Sequence, residues 1–177
     1  ALDLSNCTQL TKVECKDNAL SSLDLPGGKN LTELDCSGNE LQELDIASYE
    51  KLQIVNCANN KLDQLGLPSD VRTLNCGGNE LSSLDLSGCS NLKNLSCESN
   101  NLSSLDVSHN ANLQNLNCSG NDLTELAVSQ NKYLFELNCS DNNLGSLDVS
   151  DNRYLKDLNC SNNAITSLDI SSNTNLS

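Results

Sequence analysis

The stretch LSSLDVSHNANLQNLNCSGND, residues 102–122, contains one complete copy of the unit that decides the fold of this 177-residue chain. Its first eleven residues follow the pattern LxxLDLSxNxx, with Val107 in place of the third leucine, and its last ten follow LxxLxCxxNx. The unit recurs on both sides of this copy. Eight cysteines mark the recurrence: Cys15, Cys36, Cys57, Cys76, Cys97, Cys118, Cys139 and Cys160.

The spacing of these cysteines is 21 residues at every step except one, which is 19. The short step arises in a reduced second half at 62–70 that contains Pro68, and Pro26 holds the equivalent place in an earlier copy. A strict period of this length indicates a solenoid in which each repeat forms one coil. A second column follows the cysteines by three residues in every copy: Asn18, Asn39, Asn60, Asn79, Asn100, Asn121, Asn142 and Asn163.

Local pattern predicts strands rather than helices. Within LxxLxC the second leucine and the cysteine are two residues apart, so they lie on the same face of an extended strand. Gly, Ser, Asn and Asp then favour a turn, and the eleven-residue half lacks a stripe with a 3.6-residue period. We predict about eight coils with little or no helix. The ten-residue halves should form one parallel sheet, and the eleven-residue halves a second, more broken strand-like face.

Composition agrees with a thin, repetitive core. Aromatic residues make up 2% of the chain, and Trp and Met are absent, so Leu, Ile, Val and Cys must fill the interior. We expect residues 1–177 to form a single domain that is cut within repeats at both ends, without caps or flanking domains. The net charge of −14 argues against nucleic acid and anionic membranes as partners. No apolar stretch approaches the roughly 20 residues that cross a bilayer. We expect the protein to be a monomer.

The leucine, cysteine and asparagine positions resemble the leucine-rich-repeat signature. With its 21-residue period and LDLS second half, the sequence is similar to the bacterial surface class that includes internalin J, in which a cysteine replaces one core leucine of each repeat. The resemblance covers essentially the whole chain. It implies a solenoid that binds a partner and a bacterial cell-surface or secreted location.

The glycosylation sequons favour the same compartment. Eight N-x-S/T sequons are present, and those at Asn117, Asn138 and Asn159 are neighbours in the predicted sheet. Glycans do not fit side by side at a strand spacing of about 4.8 Å. The chain is therefore not suited to a glycosylating eukaryotic secretory route.

Ten cysteines allow three interpretations. A metal site would need CxxC or Cys/His clusters, whereas His109 is the lone histidine and no such spacing occurs. Disulfides along the column would need a twist that in-register strands do not provide. We favour free thiols that act as small buried hydrophobic side chains, with no metal and no cofactor. Cys7 and Cys89 instead occupy the asparagine position of the second half, where a small side chain can fill the turn.

Two polar columns have structural explanations. We expect the eight asparagines to bond to the backbone of their turns and to the next asparagine. The acidic column allows either a cation-binding strip or local hydrogen bonds from the serine two residues on, and we favour the local bonds. Gly66 and Ala127 interrupt this column. Its members are Asp3, Asp24, Asp45, Asp85, Asp106, Asp148 and Asp169.

The solvent face of the predicted sheet is polar and lacks aromatic anchors. Two columns of residues form this face, and Ile54 is the one apolar residue among them. The first column contains Lys12, Glu33, Ile54, Thr73, Asn94, Asn115, Glu136 and Asp157. The second contains Glu14, Asp35, Asn56, Asn75, Ser96, Asn117, Asn138 and Asn159.

One cluster is the candidate binding site. Tyr133 and Tyr154 share a repeat position and should stack on neighbouring coils. The flanking residues are Lys132, Arg153, Phe135 and Lys156. Aromatic and arginine side chains are enriched at interaction sites. The alternative is that the tyrosines cover a coil edge while the basic residues balance nearby acids.

We therefore predict a non-catalytic binding module for protein–protein interaction or adhesion at a bacterial surface. The alternatives are carbohydrate-dependent or cation-dependent surface binding, and a structural spacer. We assign no catalytic residue, because catalysis needs paired titratable groups in a concave pocket, and a regular acidic column with His109 on a turn does not provide them.

Overall fold

The computed structural model describes residues 1–27 and 30–177, in which each repeat forms one coil of a solenoid. Strands are short because turns interrupt the chain on both sides of each coil. No helix occurs in these ranges, so they contain none that could cross a membrane. The strands are β1 (Leu2–Asp3), β2 (Lys12–Glu14), β3 (Leu23–Asp24), β4 (Glu33–Asp35), β5 (Ile54–Asn56), β6 (Thr73–Asn75), β7 (Asn94–Ser96), β8 (Asn115–Asn117), β9 (Glu136–Asn138) and β10 (Asp157–Asn159).

The ten-residue halves form the predicted sheet. Eight strands pair in parallel in the order β2-β4-β5-β6-β7-β8-β9-β10, with every residue opposite its repeat equivalent. The 19-residue step keeps this register, since Ile54 lies opposite Thr73. This repeat is shorter in its second half, near Pro68 and outside the strands, so the alignment of the sheet is unaffected.

The second face is more broken, as predicted, and its pairing is confined to the first coils. β1 pairs with β3 in parallel, and one isolated bridge joins Asp45 to Gly66. Beyond Gly66, the described residues of this face contain no strand.

The core is built from aliphatic columns and the cysteine column. In one coil, Leu92, Leu95 and Cys97 point inward from the first half, and Leu102 and Leu105 from the second, all buried. Burying one leucine contributes about 1.5–3 kcal/mol, and repetition multiplies that contribution. The terminal coils have a neighbour on one side only, so Leu4 and Leu168 are only partly buried.

Each first-half turn requires one residue in the left-handed region. The residue two after each ladder cysteine has φ between 53° and 65°. Glycine adopts this conformation freely, and Asn and Asp tolerate it better than other residues. The column consists of Asp17, Gly38, Asn59, Gly78, Ser99, Gly120, Asp141 and Asn162.

The asparagine column provides hydrogen-bond partners for the backbone groups of these turns. The Asn121 Nδ2 donates to the carbonyl oxygens of Cys118 at 3.0 Å and Ser119 at 3.3 Å, and to that of Cys97 in the preceding coil at 3.1 Å. Its Oδ1 accepts a bond from the Leu102 N–H at 3.0 Å. The prediction of a bond to the next asparagine was wrong, because both polar atoms of the amide bond to backbone groups of two successive coils.

A second asparagine column lies at the turn that ends each eleven-residue half. The buried Asn131 Nδ2 donates to the carbonyl oxygens of Val107 and Asn110, both at 2.9 Å. Cys89 occupies this position in its coil, is buried, and places its Sγ 3.7 Å from the Pro68 carbonyl oxygen. Cys7 is exposed; the expectation that it fills its turn was wrong, because it belongs to the terminal coil.

Tyr49 occupies this same position, although it is absent from the predicted columns. Its ring is buried, and its hydroxyl donates to the Pro26 carbonyl oxygen at 3.0 Å. Aligning LQELDIASY, residues 41–49, with the repeat pattern would have placed Tyr49 in the asparagine position. Both proline-containing halves are therefore followed by a coil in which the asparagine is replaced and the new side chain contacts the carbonyl group of the proline.

Candidate interaction surface

The cysteine column is buried and chemically quiet. Its members are free thiols, six of them buried, while Cys15 and Cys160 in the end coils are half-buried. Burial raises the pKa of Cys36 and of Cys76 to about 12. The reactive form of cysteine is the thiolate, so these side chains remain neutral near pH 7 and act as packing groups.

The acidic column is engaged in local turns. The Asp106 Oδ1 accepts the Ser108 N–H at 2.8 Å, and the Asp148 Oδ1 accepts the Ser150 N–H at 2.9 Å. The same bond occurs at Asp3, Asp85 and Asp169. The bonds from the Ser108 hydroxyl and N–H hold the pKa of Asp106 below its ordinary value. The local-bond interpretation is confirmed at these five positions. Asp24 precedes Pro26, which has no N–H to donate.

The solvent face of the main sheet carries chains of amide groups. The Asn115 Nδ2 donates to the Asn94 Oδ1 at 2.6 Å, and the Asn94 Nδ2 donates to the Thr73 Oγ1 at 3.2 Å. Ile54 is 44% exposed. The face is polar, as predicted, and Asn115, Asn94 and Thr73 bond to one another across three strands.

The two predicted tyrosines stack at the edge of the sheet. The ring centroids of Tyr133 and Tyr154 are 6.2 Å apart, with an interplanar angle of 18°. The residues are 58% and 59% exposed. On the same edge, the Lys156 Nζ lies 5.6 Å from the centroid of the exposed Phe135 ring, a cation–π contact across coils. We refer to Lys132, Tyr133, Phe135, Arg153, Tyr154 and Lys156 as the aromatic–basic cluster.

The cations of the cluster have no ion-pair partner among the described residues. Ion pairs within 4 Å involve Lys12, Lys61 and Arg72, and none involves Lys132, Arg153 or Lys156. The alternative in which the basic residues balance nearby acids therefore lacks its expected contacts.

The tyrosines also replace a polar contact that other coils have at this edge. The equivalent side chains Asn30, Asn112 and Asn175 each donate to the carbonyl oxygen 22 residues earlier, at 3.0–3.2 Å. A tyrosine ring cannot make that short bond and extends outward instead. At two successive coils, exposed aromatic rings thus take the place of a side chain that, at Asn112 and Asn175, bonds to the neighbouring coil.

Comparison with known proteins identifies the repeat. A family model described as Leucine Rich repeats (2 copies) matches residues 29–69. The functional domain of InlJ from Listeria monocytogenes, which includes a cysteine ladder, is 40% identical with a TM-score of 0.96 and covers 98% of this chain and 39% of that one. No curated protein sequence matches the chain.

Two further solved structures are similar. A leucine-rich-repeat protein of Leptospira interrogans is 27% identical with a TM-score of 0.88, over 96% of this chain and 48% of that chain. YopM from Yersinia enterocolitica is 26% identical with a TM-score of 0.76, over 96% of this chain and 41% of that chain. The present chain spans less than half the length of each of these three structures.

Proposed function

Because this chain is a bacterial leucine-rich-repeat protein with a cysteine ladder, we propose that it is a non-catalytic module that binds another protein at a bacterial surface. The aromatic–basic cluster is the contact site. The binding role is supported because leucine-rich-repeat proteins generally bind proteins, and the location is supported because internalin-like neighbours are surface or secreted bacterial proteins. The buried thiols fit an oxidising exterior, since seven of the ten, six in the cysteine column and Cys89, are shielded from oxidants.

One observation carries the proposal: the aromatic side chains of this chain are concentrated on one exposed patch. The chain has three Tyr and one Phe, and Tyr133, Tyr154 and Phe135 are exposed together while Tyr49 is buried. A tyrosine can bury 150–250 Å². Covering the exposed parts of two rings therefore removes roughly 200 Å² from water, about 5 kcal/mol before the costs of association.

The backbone beneath the patch is already ordered, which lowers those costs. The Phe135 N–H donates to the Gln114 carbonyl oxygen at 2.7 Å, and the Lys156 N–H donates to the Phe135 carbonyl oxygen at 2.9 Å. Leu134 and Leu155, which alternate with the cluster residues, are fully buried. Pre-organised aromatic side chains are typical of residues that dominate binding energy.

Photo-crosslinking tests the proposal. The photoreactive residue p-benzoylphenylalanine replaces Tyr133 in one protein and Ile54 in a control, and each is irradiated with a panel of purified extracellular proteins. We expect discrete adducts from position 133 only, because Ile54 is an exposed apolar residue outside the cluster. Adducts that are identical from both positions would show adventitious contact and contradict the assigned site.

Competition provides the second measurement. Unlabelled wild-type domain and the Ile54→Ser variant should block the adduct, whereas the Tyr133→Ser/Tyr154→Ser double variant should not. Thermal midpoints of all variants establish that they fold, and exposed positions are expected to tolerate the change. The location is checked by antibody labelling of intact cells of the source bacterium. Labelling that requires lysis would reject the surface assignment.

A further inference from the structure

Basic residues are concentrated along one edge of the solenoid. The four residues that precede each strand of the main sheet include seven of the ten Lys and Arg residues but only two of the 24 acids, Glu50 and Asp70. We call this strip the basic edge. Its basic members in the described part of the chain are Lys51, Arg72, Lys93, Lys132, Arg153 and Lys156. Lys29 lies outside the described residues. The remaining chain carries three basic residues and 22 acids.

The two ends of the basic edge differ in how their charges are engaged. The Lys51 Nζ donates to the Asn30 Oδ1 at 2.9 Å, and the Arg72 Nη2 lies 3.9 Å from the Asp70 Oδ1. Farther along the edge, Lys93 and the three cations of the aromatic–basic cluster are exposed, and no described carboxylate lies within 4 Å of any of them. The free positive charge is therefore located around the stacked tyrosines.

Two of these cations, Lys132 and Arg153, are placed unfavourably for the fold. Lys132 and Arg153 occupy the same position of adjacent coils, where strands are about 4.8 Å apart. Like charges in such neighbouring positions are destabilising. A carboxylate placed between the two side chains would remove the repulsion and add charge-assisted hydrogen bonds, of which the planar guanidinium of Arg153 can make two in parallel.

From this charge distribution we infer that the basic edge between Lys93 and Lys156 takes a short acidic polypeptide segment. The inference rests on the proposed function and names the chemical class of the partner. The coils of Lys93 and Lys156 are three strand steps apart, or about 14 Å, which matches roughly four extended residues. Carboxylates of the segment meet the free cations, and its backbone and aliphatic groups pack on the Tyr133–Tyr154 stack.

A short peptide fits this edge better than a long polyanion. The 22 acids outside the basic edge repel a uniformly charged chain that extends past the cluster. Glu136 and Asp157 stand opposite each other in β9 and β10, directly beside Phe135 and Lys156. An anionic ligand that spreads onto the sheet meets these carboxylates, whereas a segment confined to the edge does not.

The test uses two triple variants that change the net charge equally. Lys132→Gln/Arg153→Gln/Lys156→Gln removes the cations of the cluster. Lys12→Gln/Lys16→Gln/Lys61→Gln removes the three basic residues outside the basic edge. The probe is a fluorescein-labelled octapeptide of alternating Glu and Ser, read by fluorescence anisotropy at low and at physiological salt. The Gln/Ser octapeptide and fluorescein-labelled heparin are the comparison ligands.

We expect the wild-type domain and the control triple to bind the Glu/Ser peptide with affinities within about twofold of each other. The cluster triple should bind about tenfold more weakly, since each exposed ion pair contributes a few-fold. The Gln/Ser peptide should not bind. Equal weakening in both triples, absence of Glu/Ser binding, or preferential binding of heparin would each overturn the inference. In any of those cases a specific adduct from position 133 would still support a protein partner, so the two proposals fail separately.

Discussion

The Asn100 side chain donates its Nδ2 to the carbonyl oxygen of Cys76, 24 residues earlier, at 3.1 Å. The same amide donates to Cys97 in its own coil at 3.1 Å, and its Oδ1 accepts the Leu81 N–H at 3.0 Å. One buried side chain thus joins the turns of two coils. Each ladder asparagine from Asn39 onward connects neighbouring coils and also caps its own turn, whereas Asn18 in the first coil bonds only within its own turn.

Replacing Asn100 with alanine should destabilise the domain by about 3 kcal/mol, because the buried Leu81 N–H and two carbonyl groups lose their partners. Urea unfolding followed by circular dichroism measures the change. The control is Asn101→Ala, since Asn101 is exposed and its amide makes a single 3.5 Å contact with the Glu80 carbonyl oxygen. Equal losses in the two variants would refute the role assigned to the ladder.

Ser99→Gly should stabilise the domain by about 0.5–1 kcal/mol. Ser99 has φ of 53°, and a left-handed conformation costs a residue with a Cβ about 1–2 kcal/mol, partly offset by the larger backbone entropy of glycine in the unfolded chain. The reciprocal control is Gly120→Ser, at φ of 63°, where an added Cβ meets its nearest atom at an ordinary 3.4 Å. That variant should lose stability in the same urea assay; a gain would contradict the conformational explanation.

Thiol titration should divide the ten cysteines into three groups. Exposed Cys7 should react at once with an aromatic disulfide reagent, half-buried Cys15 and Cys160 more slowly, and the remaining seven only after denaturation. The Cys7→Ser variant identifies the fast phase. If denaturation releases fewer than seven further thiols, some of the buried cysteines are oxidised, and the free-thiol assignment is wrong.

The domain should unfold in alkaline solution, at about pH 10–11. Burial raises the pKa of Cys36, Cys76 and Cys139 to about 12 from an ordinary value of 9.0. Stability from this source is fully present below pH 9 and falls as pH rises, because only the unfolded chain loses the protons. Each such thiol costs about 1.4 kcal/mol per pH unit in that range.

Six buried ladder thiols would together exhaust a typical stability of about 5–15 kcal/mol within one to two pH units. Urea unfolding at pH 8 to 11 measures the slope. The Cys97→Ala variant starts from a lower stability because of the cavity it creates, but its slope should be shallower by about one thiol's contribution. A stability that does not change up to pH 11 would show that the thiols are not buried.

Calcium should leave the thermal midpoint unchanged relative to sodium chloride at equal ionic strength. The carboxylates of Asp85, Asp106 and Asp148 already accept bonds from their own turns, and among the described residues no group of three His, Cys, Asp or Glu side chains is arranged to hold a metal ion. A rise of several degrees in the thermal midpoint at millimolar calcium, reversed by a chelator, would support the cation-binding strip instead.

Much of the candidate site followed from the repeat alone. The period places Tyr133 above Tyr154, and the structure confirms that the rings stack. Sequence could not establish whether Lys132 and Arg153 are paired with acids, because pairing depends on side-chain positions; in the structure neither cation lies within 4 Å of a described carboxylate. The period gives the position of Tyr49 but not its contact, because the repeat pattern does not show that the tyrosine hydroxyl reaches the Pro26 carbonyl oxygen.

The amino-acid sequence by itself determined the solenoid, the main sheet and the two ladder columns, because a strict period forces equivalent residues into equivalent environments. Tertiary structure decided what those residues bond to. The ladder asparagines reach backbone groups 24 residues away instead of one another, and Cys7 is exposed where Cys89 is buried. Both outcomes depend on which coil lies next to a residue, and a repeat pattern is the same with or without a neighbour.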